Sequence, residues 1–245
     1  LAVQLDDRAL FLDRWRRLLL ATLDEEALKN APRRAELRRW VENWDGRAAT
    51  GSVGYRIVRE FRARTQQATW RMLLDALGVE AAQAEAPPQF EGPLWRMVTE
   101  QPEHLLAPPW SGWREFLLSQ ADGTAEGLRA SCGALPRCTW GARNVVRLRH
   151  PLSPALPWLS RLIDLPALAL PGDQDMPRVQ MGAFGASERF AVAPGREAEG
   201  YLQMPGGQSG HPLSPWYRAG FDDWAAGRPA PLLPGETRHR LTLGQ

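Results

Sequence analysis

Lysine is nearly missing from this chain of 245 residues: Lys29 is the only one among 30 basic residues, and the rest are arginine. A surplus of either charge is missing too. The 28 acidic residues leave a net charge of +2, and the arginines are interleaved with Asp and Glu rather than blocked. A nucleic-acid tract would show a basic face without compensating acids, so that partner class is excluded. No run of about 18 apolar residues occurs, so no membrane-spanning helix is expected. Histidine is scarce: His104, His150, His211 and His239 form neither HxH nor HExxH, which argues against a metal centre. GAFGAS lacks the lysine and the spacing of a phosphate-binding loop.

Much is present in their place. Hydrophobic residues make up 44% of the chain, with 11 Trp and 21 Pro. That composition fits a well-packed, loop-rich protein and not a disordered one. The length allows one large domain or two small ones. The chain opens at LAVQLDD, in mid-pattern and without a signal peptide, which leads us to expect a processed product or a piece of a longer gene. Cys132 and Cys138 sit six apart in CGALPRC. A small disulfide loop and a pair of buried thiols both fit that spacing. The disulfide is favoured, and it would fit an oxidising compartment such as the periplasm.

Periodicity predicts a helical first half, residues 1–138, and a strand-rich second half, 139–245, in one continuous body without internal repeats. Helices are expected at 7–21, with Asp6 or Asp7 as cap, and at 33–43, 54–77, 94–106, 112–121 and 124–131. The helix at 54–77 is amphipathic: Tyr55, Val58, Phe61, Ala68, Met72 and Leu77 face a core, while Arg56, Arg59, Glu60, Arg62 and Arg64 cover the other side. Residues 81–93 read as a loop. The period then changes. Residues 143–149 alternate as a half-buried strand, and a proline-rich connection over 151–177 holds one helical turn at 157–163. Val179 to Val192 reads as an antiparallel hairpin turning at GAFGAS, and 200–204 as a third strand. Ser214 is the expected cap of a last helix lined by Trp216, Tyr217, Phe221 and Trp224 and stopped by Gly227; a tail strand is expected at 237–243.

Candidate chemistry centres on Tyr201 to Tyr217, YLQMPGGQSGHPLSPWY. Gly206, Gly207 and Gly210 permit conformations that a β-carbon forbids, and Pro205, Pro212 and Pro215 each fix a backbone angle. Ser209 resembles a nucleophile elbow, but that motif needs glycine two residues on either side, and position 211 is His. A structural turn with Ser209 bonded to backbone is the favoured reading. His150 reads as a structural histidine. Asp6–Asp7 and Asp222–Asp223 read as helix-end groups, because adjacent residues on a helix point apart.

GGQSGHPLSPWYR, followed by Trp224 and Gly227, resembles the C-terminal signature of the penicillin amidases. His211 stands where Asn is usual and Trp216 where His is usual. TWGARN before the first strand, HPLS at 150–153, GAFGASERF and ENWDGR after the second helix are also similar to that family. The resemblance implies an α+β fold: the C-terminal portion of an N-terminal-nucleophile hydrolase, a four-layer αββα sandwich. It implies an amide hydrolase whose nucleophile is a Ser at the start of the β chain, with its own α-amine as base. A backbone N–H and an Asn side chain would hold the oxyanion. Those groups and the family's calcium ligands lie upstream of the region this chain resembles. No catalytic, cofactor-binding or metal residue is therefore carried over. The implied partners are the upstream remainder, meaning the α chain and the first part of the β chain, and a small acyl-amide substrate; the implied location is periplasmic or secreted. Two alternatives remain: a catalytically inactive free-standing module, and an independent hydrolase using Ser209.

Overall fold

The computed structural model describes residues 1–79 and 85–244. The fold is α+β, with helices and short antiparallel strand pairs. The chain divides into two compact units: Arg8–Arg143, and Asn144–Gln245 together with Leu1–Asp7.

The Arg8–Arg143 unit is helical. Its helices are α1 (Asp13–Thr22), α2 (Glu25–Leu28), α3 (Pro32–Glu42), α4 (Val53–Ala76), α5 (Glu91–Glu100), α6 (Trp113–Cys132) and α7 (Trp140–Arg143). The longest, α4, is the axis on which α1, α3, α5 and α6 pack. Its buried stripe of Tyr55, Ile57, Val58, Phe61 and Met72 follows helical spacing. The Ser52 hydroxyl accepts from the Tyr55 N–H at 3.1 Å and so satisfies one of the free donors at the start of α4. Trp15, Leu19, Leu37, Val41, Leu94 and Phe116 complete the core, and all are essentially buried. Asp24 caps the short α2, accepting from the Ala27 N–H at 2.8 Å; Lys29 follows at its end, exposed. Cys132 and Cys138 are joined in a disulfide, with Cα atoms 5.5 Å apart.

Several expectations need correction here. Neither Asp6 nor Asp7 stands at the start of α1, whose N-cap position is Leu12. Arg8 bridges to Arg47, and the Ala9 N–H donates to the Gly46 carbonyl at 2.8 Å. That pairing holds the chain extended, so a 3₁₀ turn at Leu10–Leu12 comes first and α1 starts at Asp13. The helices expected at 112–121 and 124–131 are one helix, α6. Gly123 reads as a break in sequence, yet it lies under the Arg64 side chain of α4, where any Cβ would collide with the guanidinium. Arg56, expected on the solvent side, is 8% exposed, and Leu77, expected on the core side, is 76% exposed where it caps the end of α4. Helix α5 begins at Glu91 and ends at Glu100, followed by the cap Gln101, whose φ is 50°. Of the loop expected at 81–93, residues 81–84 lie outside the described residues.

The second unit carries the strands, in three two-stranded antiparallel ladders: β1 (Val145–Val146) with β2 (Leu168–Ala169), β3 (Gln180–Met181) with β4 (Phe184–Gly185), and β5 (Arg189–Ala191) with β6 (Tyr201–Gln203). The expected hairpin is thus resolved differently. GAFGAS contains strand β4 rather than a turn alone, and Phe190 pairs with Leu202 instead of with the strand at 180. The strand expected over 143–149 shrinks to two residues, because TWGARN winds into α7 first. A helical turn does occur in the proline-rich connection, as a 3₁₀ turn at Pro157–Leu159 leading into α8 (Ser160–Ile163).

The last helix, α9 (Phe221–Ala226), starts well after Ser214. Gly220, at φ 84°, turns the chain into it, and Gly227, at φ 69°, ends it. Phe221 and Trp224 are buried as expected, whereas Trp216 is 66% exposed. Residues 237–243 form no strand; Tyr201 bridges instead to Pro231. Val146, Leu170, Phe221, Trp224 and Ala225 form the core of this unit.

Candidate functional site

The stretch singled out in the sequence, 201–217, runs from β6 through the glycine turn to the loop before α9. Its tightest point is Gly207. The Gly207 N–H donates to the Tyr217 carbonyl at 3.0 Å, and the Ser209 N–H to the Trp216 carbonyl at 3.5 Å. The two arms pass so close that a Cβ on Gly207 would overlap the Trp216 carbonyl. The reason given for the glycines is thereby corrected. None of Gly206, Gly207 and Gly210 has positive φ, and a Cβ on Gly210 would meet nothing within 4 Å. Close backbone approach at one position is what demands glycine. A cleft of about 390 Å³ lies beside the turn, lined by Leu202, Met204, Trp216 and Ala219 among others.

Ser209 and His211 are both held by local backbone. The Ser209 hydroxyl accepts from the His211 N–H at 3.2 Å, and the His211 Nδ1 accepts from the Leu213 N–H at 3.2 Å. A general base must receive the nucleophile's proton across a side-chain hydrogen bond, and these two side chains share none. The pair is a turn, in line with the favoured sequence reading.

The same turn is written twice, a repeat that the sequence reading missed. HPLSP occurs at His150–Pro154 and again at His211–Pro215. In both copies the Leu N–H donates to the His Nδ1, at 3.1 and 3.2 Å, and the Ser N–H donates to the His carbonyl at 2.9 Å. The first copy adds an acid. Asp164 accepts from the Ser153 hydroxyl, and from the His150 N–H at 2.9 Å. The Ser153 bond, with the His150 N–H and the Arg149 charge, holds the Asp164 carboxyl below its usual range. The segment after the second copy reaches α8: the Tyr217 hydroxyl donates to the Ile163 carbonyl at 2.6 Å, and the Arg218 Nη2 donates to the Arg161, Leu162 and Asp164 carbonyls at 3.1, 3.1 and 2.8 Å. The free carbonyls at the end of α8 are thus satisfied by side chains.

Beneath this surface lies a buried polar layer. Asn144, the last residue of TWGARN, is 3% exposed and donates through Nδ2 to the Leu170, Gly172 and Gln180 carbonyls at 3.1, 3.1 and 3.2 Å. Arg189, within GAFGASERF, is 2% exposed. Its Nη1 donates to the Trp224 carbonyl at 2.7 Å and to Gln203 Oε1 at 3.3 Å, and its guanidinium lies over the Trp224 ring, 5.3 Å from the centroid. Burial, aided by the nearby Arg178 charge, pushes the Arg189 guanidinium down to about 10. The Trp224 indole N–H donates to the Ala186 carbonyl at 2.7 Å. Asn144 thus ties the start of β1 to the backbone at 170, 172 and 180, and Arg189 and Trp224 tie β5, β6 and the segment after β4 to α9.

The remaining sequence candidates stay apart. Asp223 pairs with Arg228 at 2.7 Å, and the Asp6 carbonyl accepts from the Arg178 N–H. His104 sits in a 3₁₀ turn and His239 in the exposed tail. Among the described residues no group of three or more His, Cys, Asp or Glu side chains could hold a metal ion. No helix among the described residues is long and apolar enough to cross a membrane.

Comparison with known proteins takes in both units of the chain. The family model of penicillin amidase covers residues 1–238, and the chain belongs to that family. It is 27% identical over 230 residues to the penicillin acylase 2 proenzyme of Pseudomonas sp. (strain SE83), an alignment covering 88% of this chain and 29% of that protein. The chain thus spans under a third of the length of the curated relative it matches.

Proposed function

We propose that this chain is scaffold: the C-terminal part of an acylase β chain, serving a hydrolase that cleaves linear amides such as penicillins or acyl-homoserine lactones. The nucleophile would be a serine at the start of the β chain, upstream of this region, using its own α-amine as base. The observation that carries the reading is the alignment, which takes in 88% of this chain but 29% of a relative whose name is that of a proenzyme.

The surface of the strand unit agrees. Trp158, Phe184, Phe190, Val192, Leu213 and Trp216 are between 41% and 76% exposed. Its ladders have two strands each, and beyond them β6 carries a bridge from Tyr201 to Pro231; ladders this narrow leave edges that a protein ordinarily covers. Preceding parts of the acylase, the α chain and the first part of the β chain, would pair with those edges and complete the αββα sandwich. The Cys132–Cys138 disulfide fits a periplasmic or secreted protein.

Hydrolysis of a chromogenic phenylacetyl or long-chain acyl amide, by this chain and by the protein extended upstream, tests the proposal. Activity confined to the extended protein is the expected result. Activity of this chain alone, abolished by Ser209→Ala with the fold retained, would place the chemistry in the glycine turn and overturn the reading. An extended protein that is folded and inactive on every such amide would favour a binding module instead.

A further inference from the structure

Four arginines line one groove of the helical unit. Arg56, Arg64 and Arg71 share a face of α4 with Glu60, and Arg143 stands at the end of α7. The opposite wall is α6, and the groove encloses about 540 Å³, a size suited to a small organic molecule. Glu60 is the one carboxylate lining it, and it lies 3.4 Å from the Arg143 Nε. Arg64 and Arg71 have no ion-pair partner among the described residues.

Arg56 is the group that most needs an anion. It is 8% exposed. Its Nη1 donates to Cys132 Sγ at 3.3 Å and to the Thr139 carbonyl at 3.5 Å, and its Nη2 to the Ser131 hydroxyl at 3.4 Å. All three acceptors are neutral and distant, and the buried Nε has no acceptor. Burial pushes its pKa down, with Glu60 opposing and Arg143 adding to the effect. A buried guanidinium without a bonded carboxylate is costly unless an anion completes it, and its planar fork matches a carboxylate or phosphate.

The α6 wall is shaped for an occupant. Gly123 lets the Arg64 guanidinium lie flat across the helix, and Gly127, one turn on, has open space where its Cβ would be. Glycine inside a helix costs roughly 0.5–1 kcal/mol relative to alanine. At Gly127 no packed neighbour accounts for it, so what the glycine leaves is room. Ala68 and Leu128 supply apolar surface beside the charges.

We propose that this groove binds a small organic oxyanion, a carboxylate or a phosphate monoester, with its head on Arg56, Arg64 and Arg143 and a short apolar body over Ala68, Gly127 and Leu128. The inference does not depend on the acylase reading. It stands or falls on the groove between α4, α6 and Arg143 of α7 alone.

Isothermal titration of the 245-residue chain with hexanoate, hexyl phosphate and hexan-1-ol, at fixed ionic strength, tests it. Saturable binding of hexanoate or hexyl phosphate at one site is expected, with the tighter of the two identifying the head group, and no binding of hexan-1-ol. Arg64→Gln and Arg143→Gln, both at exposed positions, should each weaken binding at least about threefold. Gly127→Leu should abolish it without altering any charge, while raising the melting temperature. Arg17→Gln, whose partner Asp13 is also exposed, should leave it unchanged. The proposal is overturned if neither anion saturates below about 10 mM, if hexan-1-ol binds as well as the anions, if Gly127→Leu binds normally, or if Arg17→Gln weakens binding as much as the groove variants do.

Discussion

Replacing Glu91 with Gln should destabilise the helical unit by about 2–3 kcal/mol. Glu91 opens α5 and is the meeting point of three donors. Its Oε1 accepts from Arg14 Nη2 at 2.5 Å and from the Trp15 indole at 2.9 Å; its Oε2 accepts from Arg62 Nε at 3.0 Å. Both guanidiniums also lie on Phe11, 4.8 and 4.9 Å from the ring centroid. Without the carboxylate, two cations would face each other across one ring, and the amide N–H₂ of Gln would point a donor at donors. Removing one partner of a fully buried pair costs about 3–5 kcal/mol. Here the Glu91 and Arg62 side chains are each 15% exposed and Arg14 is 35% exposed, so solvent screening lowers the figure. The melting temperature should fall by about 5–10 °C, since each kcal/mol is worth roughly 2–4 °C at this size. Urea unfolding followed by circular dichroism and Trp fluorescence measures it, with Arg17→Gln as an exposed control expected to change stability by less than about 0.5 kcal/mol. A double-mutant cycle with Arg62→Gln should give a coupling of at least about 1 kcal/mol. A Glu91→Gln loss below about 0.5 kcal/mol, or no coupling to Arg62, would refute the reasoning that this cluster holds α1, α4 and α5 together.

Three further outcomes can be checked. Gly207→Ala should cost about 3 kcal/mol or more, because its Cβ would overlap the Trp216 carbonyl, whereas Gly210→Ala should stay within about 0.5 kcal/mol; thermal unfolding of the two side by side separates close approach from general turn flexibility. Ser52→Ala should remove about 1 kcal/mol by leaving the Tyr55 N–H without its acceptor, read from the urea midpoint at unchanged slope. The folded-state pKa of Asp164 is depressed, so its contribution is present above the unfolded carboxylate range, near pH 4, and is lost as pH falls through the folded value. Acid unfolding of Asp164→Asn should therefore depend less steeply on pH below about 4 than that of the parent, and an identical acid profile would contradict the assignment.

The helical unit was largely legible because its signal is local. α3 and α4 carry apolar stripes at helical spacing, with Pro32 and Ser52 at their starts. Where the reading went wrong there, distant contacts decided: Arg47 delays α1, and Arg64 lying over Gly123 keeps α6 whole. The strand unit was less legible because strands of two or three residues carry almost no alternation, and their pairing is set by partners far along the chain. Phe190 alternates well with either neighbour, and only the layer around Arg189, Gln203 and Trp224 selects β6. The Cys132–Cys138 bridge is the favoured one of the two readings that the spacing allowed. Asn144 and Arg189 were visible only inside motifs, since nothing in a sequence marks a polar residue as buried.

Lys29 sits exposed at the end of α2 and is the chain's single lysine. An aldehyde or succinimidyl ester thus meets a single side-chain amine, that of Lys29, besides the α-amine of Leu1. With the α-amine blocked, every copy coupled to a bead or a sensor chip would hang from the same corner and present the same profile to the liquid. Arginine, with its permanently protonated guanidinium, ignores such reagents. A surface that is ionic almost throughout is in this respect chemically silent, and it offers one handle for oriented attachment.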